Sequence, residues 1–276
     1  HLKKGEWVRM KKYLSFFQLR VAMGLQYRTA ALAGIITQFA WGGMQVMMYR
    51  AFYHTDAAAF PMTLSATASY IWLQQAFLAF FAVWMMENEI FDSIVNGNIA
   101  YELCRPVSIY NMWAARSIAS RLARAVLRCF PILIVAAFIP QPYGIGTPAS
   151  LLHFLLFVLS LILGLAVTVT FCLLIYVLAF FTISPQGLRM VFTSCVEFFS
   201  GAVIPLPFFP DKIRSIMDLL PFASMQNAAL RIYSASIGTD EIRRAIGLQV
   251  FWLVVLTAAG KLLCRLAEKR IIVQGG

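Results

Sequence analysis

Long apolar runs constrain the fold of this chain more than any other feature of its sequence. Six runs are long enough to cross a bilayer as helices, since a crossing needs roughly 17–25 mostly apolar residues. They cover residues 29–49, 66–86, 123–139, 150–182, 188–204 and 245–266. We therefore predict an all-α integral membrane protein with six transmembrane helices, which form a single domain over residues 10–276.

The overall composition excludes one soluble globule as the fold. Of the 276 residues, 61% are hydrophobic and 13% are charged, with a mean hydropathy of +0.75. Soluble domains carry roughly 45–50% apolar and about 25% charged residues. The net charge of +11 could indicate nucleic-acid binding in a soluble protein, but here basic residues flanking membrane spans account for it.

The distribution of basic residues predicts the orientation of the spans. If the N-terminus is cytoplasmic, most of the 23 lysines and arginines fall on the cytoplasmic side, as membrane proteins prefer. We therefore expect both termini in the cytoplasm. The first methionine is Met10, and we expect residues 1–9 to be an upstream extension or residues foreign to the natural protein.

Three segments between the runs carry distinct patterns. Residues 11–28 alternate polar and apolar faces at helical spacing, interrupted by Arg20, and predict an amphipathic helix at the membrane surface. Residues 87–122 form the longest cytoplasmic loop, with a turn signal at residues 96–98. Residues 205–241 contain Pro205, Pro207, Pro210 and Pro221, which predict short helices that dip into the outer leaflet.

No catalytic motif stands out, and we do not expect this chain to be an enzyme by itself. It has no phosphate-binding GxxxxGK[ST] loop, HExxH or GxSxG motif. Its five cysteines show no CxxC pairing and its three histidines are scattered, so neither disulfides nor a bound metal is expected. If ATP is used, a partner protein must hydrolyse it.

Polar residues inside the runs are candidates for a substrate path, because polar groups are costly in lipid. Thr193, Glu197 and Ser200 follow each other at i, i+4 and i+7 and share a helix face. They could line a path, or Glu197 could be a structural carboxyl that is protonated or paired with another helix. Gln74 and Gln75 are adjacent and cannot share a face, so one of them is expected to point inward.

Two other polar patterns have more structural interpretations. A stripe in the first run, spaced i, i+4, i+7 and i+11, favours helix packing or dimer contact over substrate binding. It consists of Gly34, Gln38, Trp41 and Gln45. Glu87 and Glu89 end the second run, where they are either solvated or paired with basic residues of the same loop.

The order of these features, together with three stretches of sequence, resembles the type-2 ABC exporter permeases, and in particular a bacterial branch long labelled as of unknown function. The stretches are VNGNIAYELCRPVS at 95–108, SGAVIPLPFFP at 200–210 with LPFASMQNAALRIY at 220–233, and KRIIVQGG at 269–276. The resemblance covers essentially the whole chain from Met10.

This resemblance implies a function in the bacterial inner membrane. Two permeases, identical or related, form the membrane part of such an exporter, and two ATPase subunits that bind ATP and Mg²⁺ dock below them. Residues 89–103 correspond to the coupling helix, and the N-terminal amphipathic helix to the connecting helix. The second and fifth spans line the path, and the short outer helices form a lid. The residues that the resemblance assigns to ATPase coupling are Asp92, Asn96, Gly97, Glu102 and Arg105.

Other functional classes fit the sequence less well. A secondary transporter or channel not driven by ATP would need coupling carboxylates or internal repeats, and Glu197 is the one acid inside a run. A membrane-embedded enzyme would need clustered His, Asp or Glu residues, and a scaffold has no use for a coupling loop. The substrate, and the choice between homodimer and heterodimer, stay open.

Overall fold

The computed structural model describes residues 2–26, 28–57, 60–104 and 107–269, with the backbone alone for residues 2–10, 28 and 30. These residues form twelve α-helices and no strand. The helices are α1 Leu2–Leu25, α2 Arg28–Thr55, α3 Leu64–Ala76, α4 Leu78–Phe81, α5 Asn88–Val95, α6 Ile99–Leu103, α7 Ile109–Phe138, α8 Leu151–Leu178, α9 Pro185–Phe199, α10 Asp211–Met217, α11 Asn227–Tyr233 and α12 Thr239–Glu268. Three short 3₁₀ turns cover Val83–Met85, Ala179–Phe181 and Leu206–Phe208.

The prediction of an all-α protein is confirmed. Four of the predicted runs fold mainly as long continuous helices, namely α2, α7, α8 and α12, although the runs 123–139 and 150–182 extend beyond the ends of α7 and α8. By length and composition, Leu151–Phe181 and Thr239–Glu268 each suffice to cross a membrane. Pro131 lies inside α7, and its helix continues to Phe138. The six-span topology as a whole stays a prediction.

Helix α8 lies at the centre of the protein, packed against α12, α11 and α7. Its most apolar stretch is 67% buried inside the protein, whereas that of α12 is only 17% buried. The side chain of Gln249 on α12 fastens the two helices, because its Nε2 donates to Ser160 O and Ser224 O at 3.0 Å each. Helix α12 therefore turns one face to α8 and leaves most of its apolar surface for lipid or another protein.

The second predicted run is not one continuous helix, which corrects the prediction for residues 66–86. Helix α3 ends at Ala76, α4 is a single turn, and Ala82 and Met86 are extended. Arg121 of α7, only 2% exposed, stabilises this break. Its Nη1 donates to Ala79 O at 2.9 Å, Phe80 O at 3.2 Å and Ala82 O at 3.0 Å, so the carbonyls at the helix end are satisfied without water.

The fifth run also folds differently from its prediction over residues 188–204. Helix α9 ends at Phe199, and its 15 residues extend about 22 Å, less than the ~30 Å of a bilayer core. Gly201 follows with a φ of 82°, a left-handed conformation that glycine adopts without strain. The chain then enters the proline-containing segment, where α10 and α11 confirm the expected short helices.

The amphipathic helix predicted for residues 11–28 ends earlier than expected. Helix α1 stops at Leu25, and Arg28 already begins α2. Helix α1 packs along α7. The Nη1 atom of Arg20, which interrupts the amphipathic pattern, lies 3.7 Å from Glu89 Oε2, so this residue joins α1 to the start of α5.

We predict that Arg121→Met strongly destabilises the membrane domain. The substitution removes the side-chain donor from three buried carbonyls, of which Ala82 O keeps a 3.3 Å bond from Met85 N–H. Each carbonyl left without a donor costs about 1–3 kcal/mol. The melting temperature in detergent should fall by at least about 5 °C. The control is Arg243→Met, since Arg243 is 77% exposed. An unchanged melting temperature for Arg121→Met would show that the broken helix does not need this side chain.

A second stability prediction concerns the contact between α8 and the segment before α11. A Cβ at Gly164 would lie 2.1 Å from the backbone oxygen of Met225, whereas a Cβ at Gly43 would meet nothing within 4 Å. Gly164→Ala should therefore destabilise the protein by about 1–3 kcal/mol through overpacking. Gly43→Ala, within α2, should be neutral or stabilising. Equal melting temperatures for both variants would contradict the packing of α8.

Candidate functional site

Helices α5 and α6 follow the break in the second run and are joined by a short turn; we call this segment, residues 88–103, the hairpin. The turn between the helices is at Asn96, Gly97 and Asn98, as the sequence predicts. Gly97 has a φ of 73°, and a Cβ there would meet no neighbouring atom, so backbone conformation and not space favours glycine. Asp92, Asn96 and Gly97 are all exposed. The hairpin thus presents a polar tip to its surroundings.

A set of ion pairs fixes the base of this hairpin to α1 and α7. We call it the glutamate–arginine network, and it consists of Arg20, Glu87, Glu89, Arg116 and Arg124. Arg116 contacts both glutamates, and Arg124 Nη2 lies 3.3 Å from Glu87 Oε1. The side chains of Arg116 and Glu87 are only 7% and 14% exposed. Removing one partner of such a buried pair typically costs about 3–5 kcal/mol.

Three further contacts join the hairpin to the rest of the bundle. The Glu87 backbone N–H donates to Tyr176 Oη of α8 at 2.7 Å. Arg189 of α9 donates to Asn88 Oδ1, and through Nη2 to Trp84 O at 2.8 Å. The hairpin base is therefore tied to α1, α7, α8 and α9 together.

The residues expected to contact an ATPase have different environments in the structure. Asp92, Asn96 and Gly97 lie on the exposed surface of the hairpin. Glu102 is half-buried, and its Oε2 accepts a 3.0 Å hydrogen bond from Trp113 Nε1, which holds α6 against α7. Arg105 lies outside the described residues. Of the two interpretations of Glu87 and Glu89, pairing is confirmed, with partners in the same loop and beyond it.

The residues predicted to line a path do not share one environment. Glu197 is exposed and forms no hydrogen bond or ion pair within the described part of the chain, whereas Ser200 is buried. Ser200 Oγ accepts from Gln226 Nε2 at 3.3 Å. Thr193 is half-buried, and its Oγ1 has no partner among the described residues. Ser200 lies just beyond the end of α9, which explains why the stripe diverges there.

Both glutamines of α3 are buried, so the expectation that only one points inward is wrong. Gln74 Nε2 donates to Ala202 O at 2.8 Å, and Gln75 Nε2 donates to Gln45 Oε1 at 3.3 Å. Adjacent positions can both be buried because α3 is enclosed on several sides, with α2, α7 and α11 packed against it. Gln74 thereby links α3 to the turn that follows α9.

Three residues of the stripe on α2 lie against other helices or within the protein, and the fourth is exposed. Gln45 bonds to Gln75, Gln38 is buried, and the guanidinium of Arg128 lies over Gly34. These three residues thus lie against neighbouring helices or within the protein, while their assignment to packing or dimer contact stays a prediction. Trp41 is 61% exposed in the single chain, so its large apolar side chain is available to lipid or to a second subunit.

The short helices α10 and α11 are joined to α12 by a separate ion-pair cluster. Arg231 lies 3.6 Å from Asp218 Oδ2 and 3.8 Å from Glu241 Oε2, beside a cavity of about 150 Å³. Burial raises the pKa of Asp218 above its ordinary value, although Arg231 and Arg214 oppose the shift. The opposite charges of the cluster largely neutralise each other. The cluster joins α10 and α11, which the family resemblance predicts to form a lid, to α12.

Sequence reasoning missed the roles of the arginines on α7. Arg121, Arg124 and Arg128 are spaced i, i+3 and i+7, which places them on one helix face. That spacing indicates a shared face, whereas the charge of these residues by itself predicts only the orientation of the spans. Within the described residues, no group of three His, Cys, Asp or Glu side chains could hold a metal ion.

Comparison with known proteins agrees with the resemblance noted in the sequence. No curated protein matches the chain at a significant level. A family model described as ABC-2 family transporter protein matches residues 39–271, which includes every helix from α3 to α12 and most of α2. Because this match covers most of the chain, the protein belongs to the ABC-2 transporter family of membrane proteins.

Proposed function

We propose that this chain is the permease subunit of an ATP-driven exporter in the bacterial inner membrane, with both termini in the cytoplasm. Two permeases, this chain with a second copy or a related chain, form the substrate path. Separate ATPase subunits bind ATP and Mg²⁺ and carry out the hydrolysis. This chain contributes no catalytic group, and its own residues transmit motion and enclose the path.

The observation that carries this proposal is the helical hairpin with an exposed tip and a base tied to four helices. A segment that only connects two spans has no need for buried ion pairs at its base. Here Arg116 and Glu87 are largely buried and hold the hairpin rigidly against α7. A force applied at Asp92 or Gly97 therefore reaches the helices directly, which is what coupling to an ATPase requires.

The hairpin also connects to the helix that contains Glu197. Arg189, near the start of α9, donates to Asn88 and to Trp84 O at the hairpin base. A shift of the hairpin would thus move α9, and with it Glu197. Since α9 packs on α8 and on the Val83–Met85 turn, its displacement would change the surface that faces a second permease.

The exposed position of Glu197 supports a path between two permeases. A carboxylate facing lipid costs several kcal/mol, so such groups normally face water, a partner or the interior of a bundle. Glu197 has no partner within the described chain. A water-filled path between this chain and a second permease would solvate it, and the exposed apolar residues of α2 and α12 would complete the contact with lipid or with that permease.

The connection between α8 and α9 supports docking through the α5–α6 hairpin. Only residues 182–184 separate the Ala179–Phe181 turn from the start of α9. Three residues are too few to form a docking helix of the kind that importers use. The hairpin and α1 are then the segments at that end of the bundle that would contact an ATPase.

We predict that variants of the hairpin tip release the ATPase while the membrane domain stays folded. Asp92→Ala removes an exposed charge, and Gly97→Val forces a β-branched residue into a left-handed conformation. We expect the double variant to bind the co-purified ATPase at least about tenfold more weakly, as loss of an interface hot spot does. The measurement is ATPase retention and ATP turnover of the complex purified in mild detergent.

The matched control for this experiment is Asp240→Ala, since Asp240 is also an exposed aspartate but lies at the start of α12. This variant should retain the ATPase fully. Normal ATPase binding and turnover in the hairpin variant would overturn the coupling assignment. Loss of binding in both variants would indicate general damage and would likewise remove support for a specific role of the hairpin.

A second prediction tests whether Glu197 faces water. In a background without the five native cysteines, Glu197→Cys should react with a membrane-impermeant maleimide in the assembled complex, because only a hydrated thiol ionises readily. Phe198→Cys is the control, since Phe198 is also exposed but points about 100° away around the helix. Trapping the ATPase with vanadate should change the rate at position 197. Equal and negligible labelling at both positions would exclude a path along this face.

A further inference from the structure

A cavity of about 330 Å³ lies between α1, α2 and α7, next to the glutamate–arginine network. Its volume falls within the range of roughly 300–1,000 Å³ that is usual for small-ligand sites. Its charged wall consists of Arg20, Glu87, Glu89, Arg124 and Arg128. Met23 and Leu127 contribute an apolar wall. The cavity therefore combines charged and apolar surfaces in one half-open site.

Arg128 is the residue in this cavity whose hydrogen-bonding capacity is not met. Its Nε is buried and has no acceptor among the described residues. Its guanidinium fits between α7 and α2 because residue 34 is glycine, where a Cβ would come within 2.5 Å of Cζ. Buried donors without an acceptor are rare and costly in folded proteins. Arg128 therefore lines the cavity with a guanidinium that no acceptor of the described chain engages.

The charges around the cavity make that acceptor an anion. Glu87 is shared between Arg116 and Arg124, and Glu89 is shared between Arg116 and Arg20. Both carboxylates are thus already engaged, and Arg128 adds a further positive charge. An oxyanion with several acceptor oxygens, such as a phosphate group, would accept hydrogen bonds from Arg128. It would also offset the excess of positive charge around the cavity.

The setting of the cavity indicates which phosphate is available. Helix α1 packs along α7, and in the orientation proposed above this junction lies at the cytoplasmic surface of the membrane. Basic pockets between helices at that level commonly bind lipid head groups. Met23, which lines the cavity, is 43% exposed and offers an apolar surface for acyl chains.

We propose that this cavity binds the phosphate of an anionic phospholipid from the cytoplasmic leaflet, with Arg128 as its main ligand. The lipid would fix α1 against α2 and α7 beside the base of the hairpin. This inference uses the orientation given under the proposed function but does not depend on ATP-driven export. Its test accordingly needs no ATP turnover.

The experiment titrates the delipidated, purified protein with mixed micelles and follows its melting temperature. Phosphatidylglycerol should stabilise the unaltered protein, phosphatidylcholine much less, and inorganic phosphate at the same concentration hardly at all. Arg128→Gln should weaken the phosphatidylglycerol response at least about fivefold, the effect of one arginine near an anionic surface. Arg128→Lys keeps the charge and should retain most of the response to phosphatidylglycerol. That result would show that the site tolerates substitution.

Arg265→Gln is the matched control, since Arg265 is an exposed arginine near the end of α12. This variant should respond to phosphatidylglycerol as the unaltered protein does. Equal responses of Arg128→Gln and Arg265→Gln would overturn the site. An equal effect of inorganic phosphate would overturn the assignment to lipid, and an equal effect of phosphatidylcholine would overturn the selectivity for an anionic head group.

Discussion

The arrangement of the helices depends on how one buried guanidinium satisfies the carbonyl groups where a helix ends. Arg121 donates to the backbone oxygens of Ala79, Phe80 and Ala82, and its Nη2 lies 3.3 Å from Cys172 Sγ on α8. In apolar surroundings such carbonyls have no water to bond with, so a helix can stop there only if the protein provides donors. The same side chain fixes α7 between α4 and α8. The guanidinium of Arg121 therefore takes part both in the break of the second apolar run and in the packing of the central helices.

Helix α7 extends this arrangement from the interior to the hairpin. Arg121 holds the end of the broken helix, and Arg116 and Arg124 hold the glutamates that follow it. The chain between α4 and α5 is thus fastened to one helix at several successive points. The α5–α6 hairpin can be short and still rigid, because its stability comes from α7 and not from its own few residues. A rigid hairpin on a shared support is suited to transmit a movement that begins at its tip.

The surface of the single chain combines a polar group that would be costly in lipid with apolar faces that would be costly in water. Glu197 is a charged residue on a helix of an otherwise apolar segment, and Trp41 and the outer face of α12 are broad apolar surfaces. A membrane protein of the ABC-2 family accounts for both kinds of surface if lipid covers the apolar faces and a second permease encloses the carboxylate in a hydrated path. Arg128, unpaired within the described chain, follows the same logic on a smaller scale, with an anionic head group as its proposed partner.

The sequence by itself determined the class of the fold and the approximate positions of most helices, because helix formation in an apolar segment depends on local composition. It also predicted the turn at Gly97 and the short helices among the prolines, since these follow from local backbone preferences. It did not reveal where the second run breaks, that α9 is short, or which partners Glu87 and Gln74 have. Only the tertiary structure decided these features, because an arginine can end a distant helix or hold a distant glutamate only once packing has brought the two side by side. Spacing along one helix shows which residues share a face, but not what that face meets.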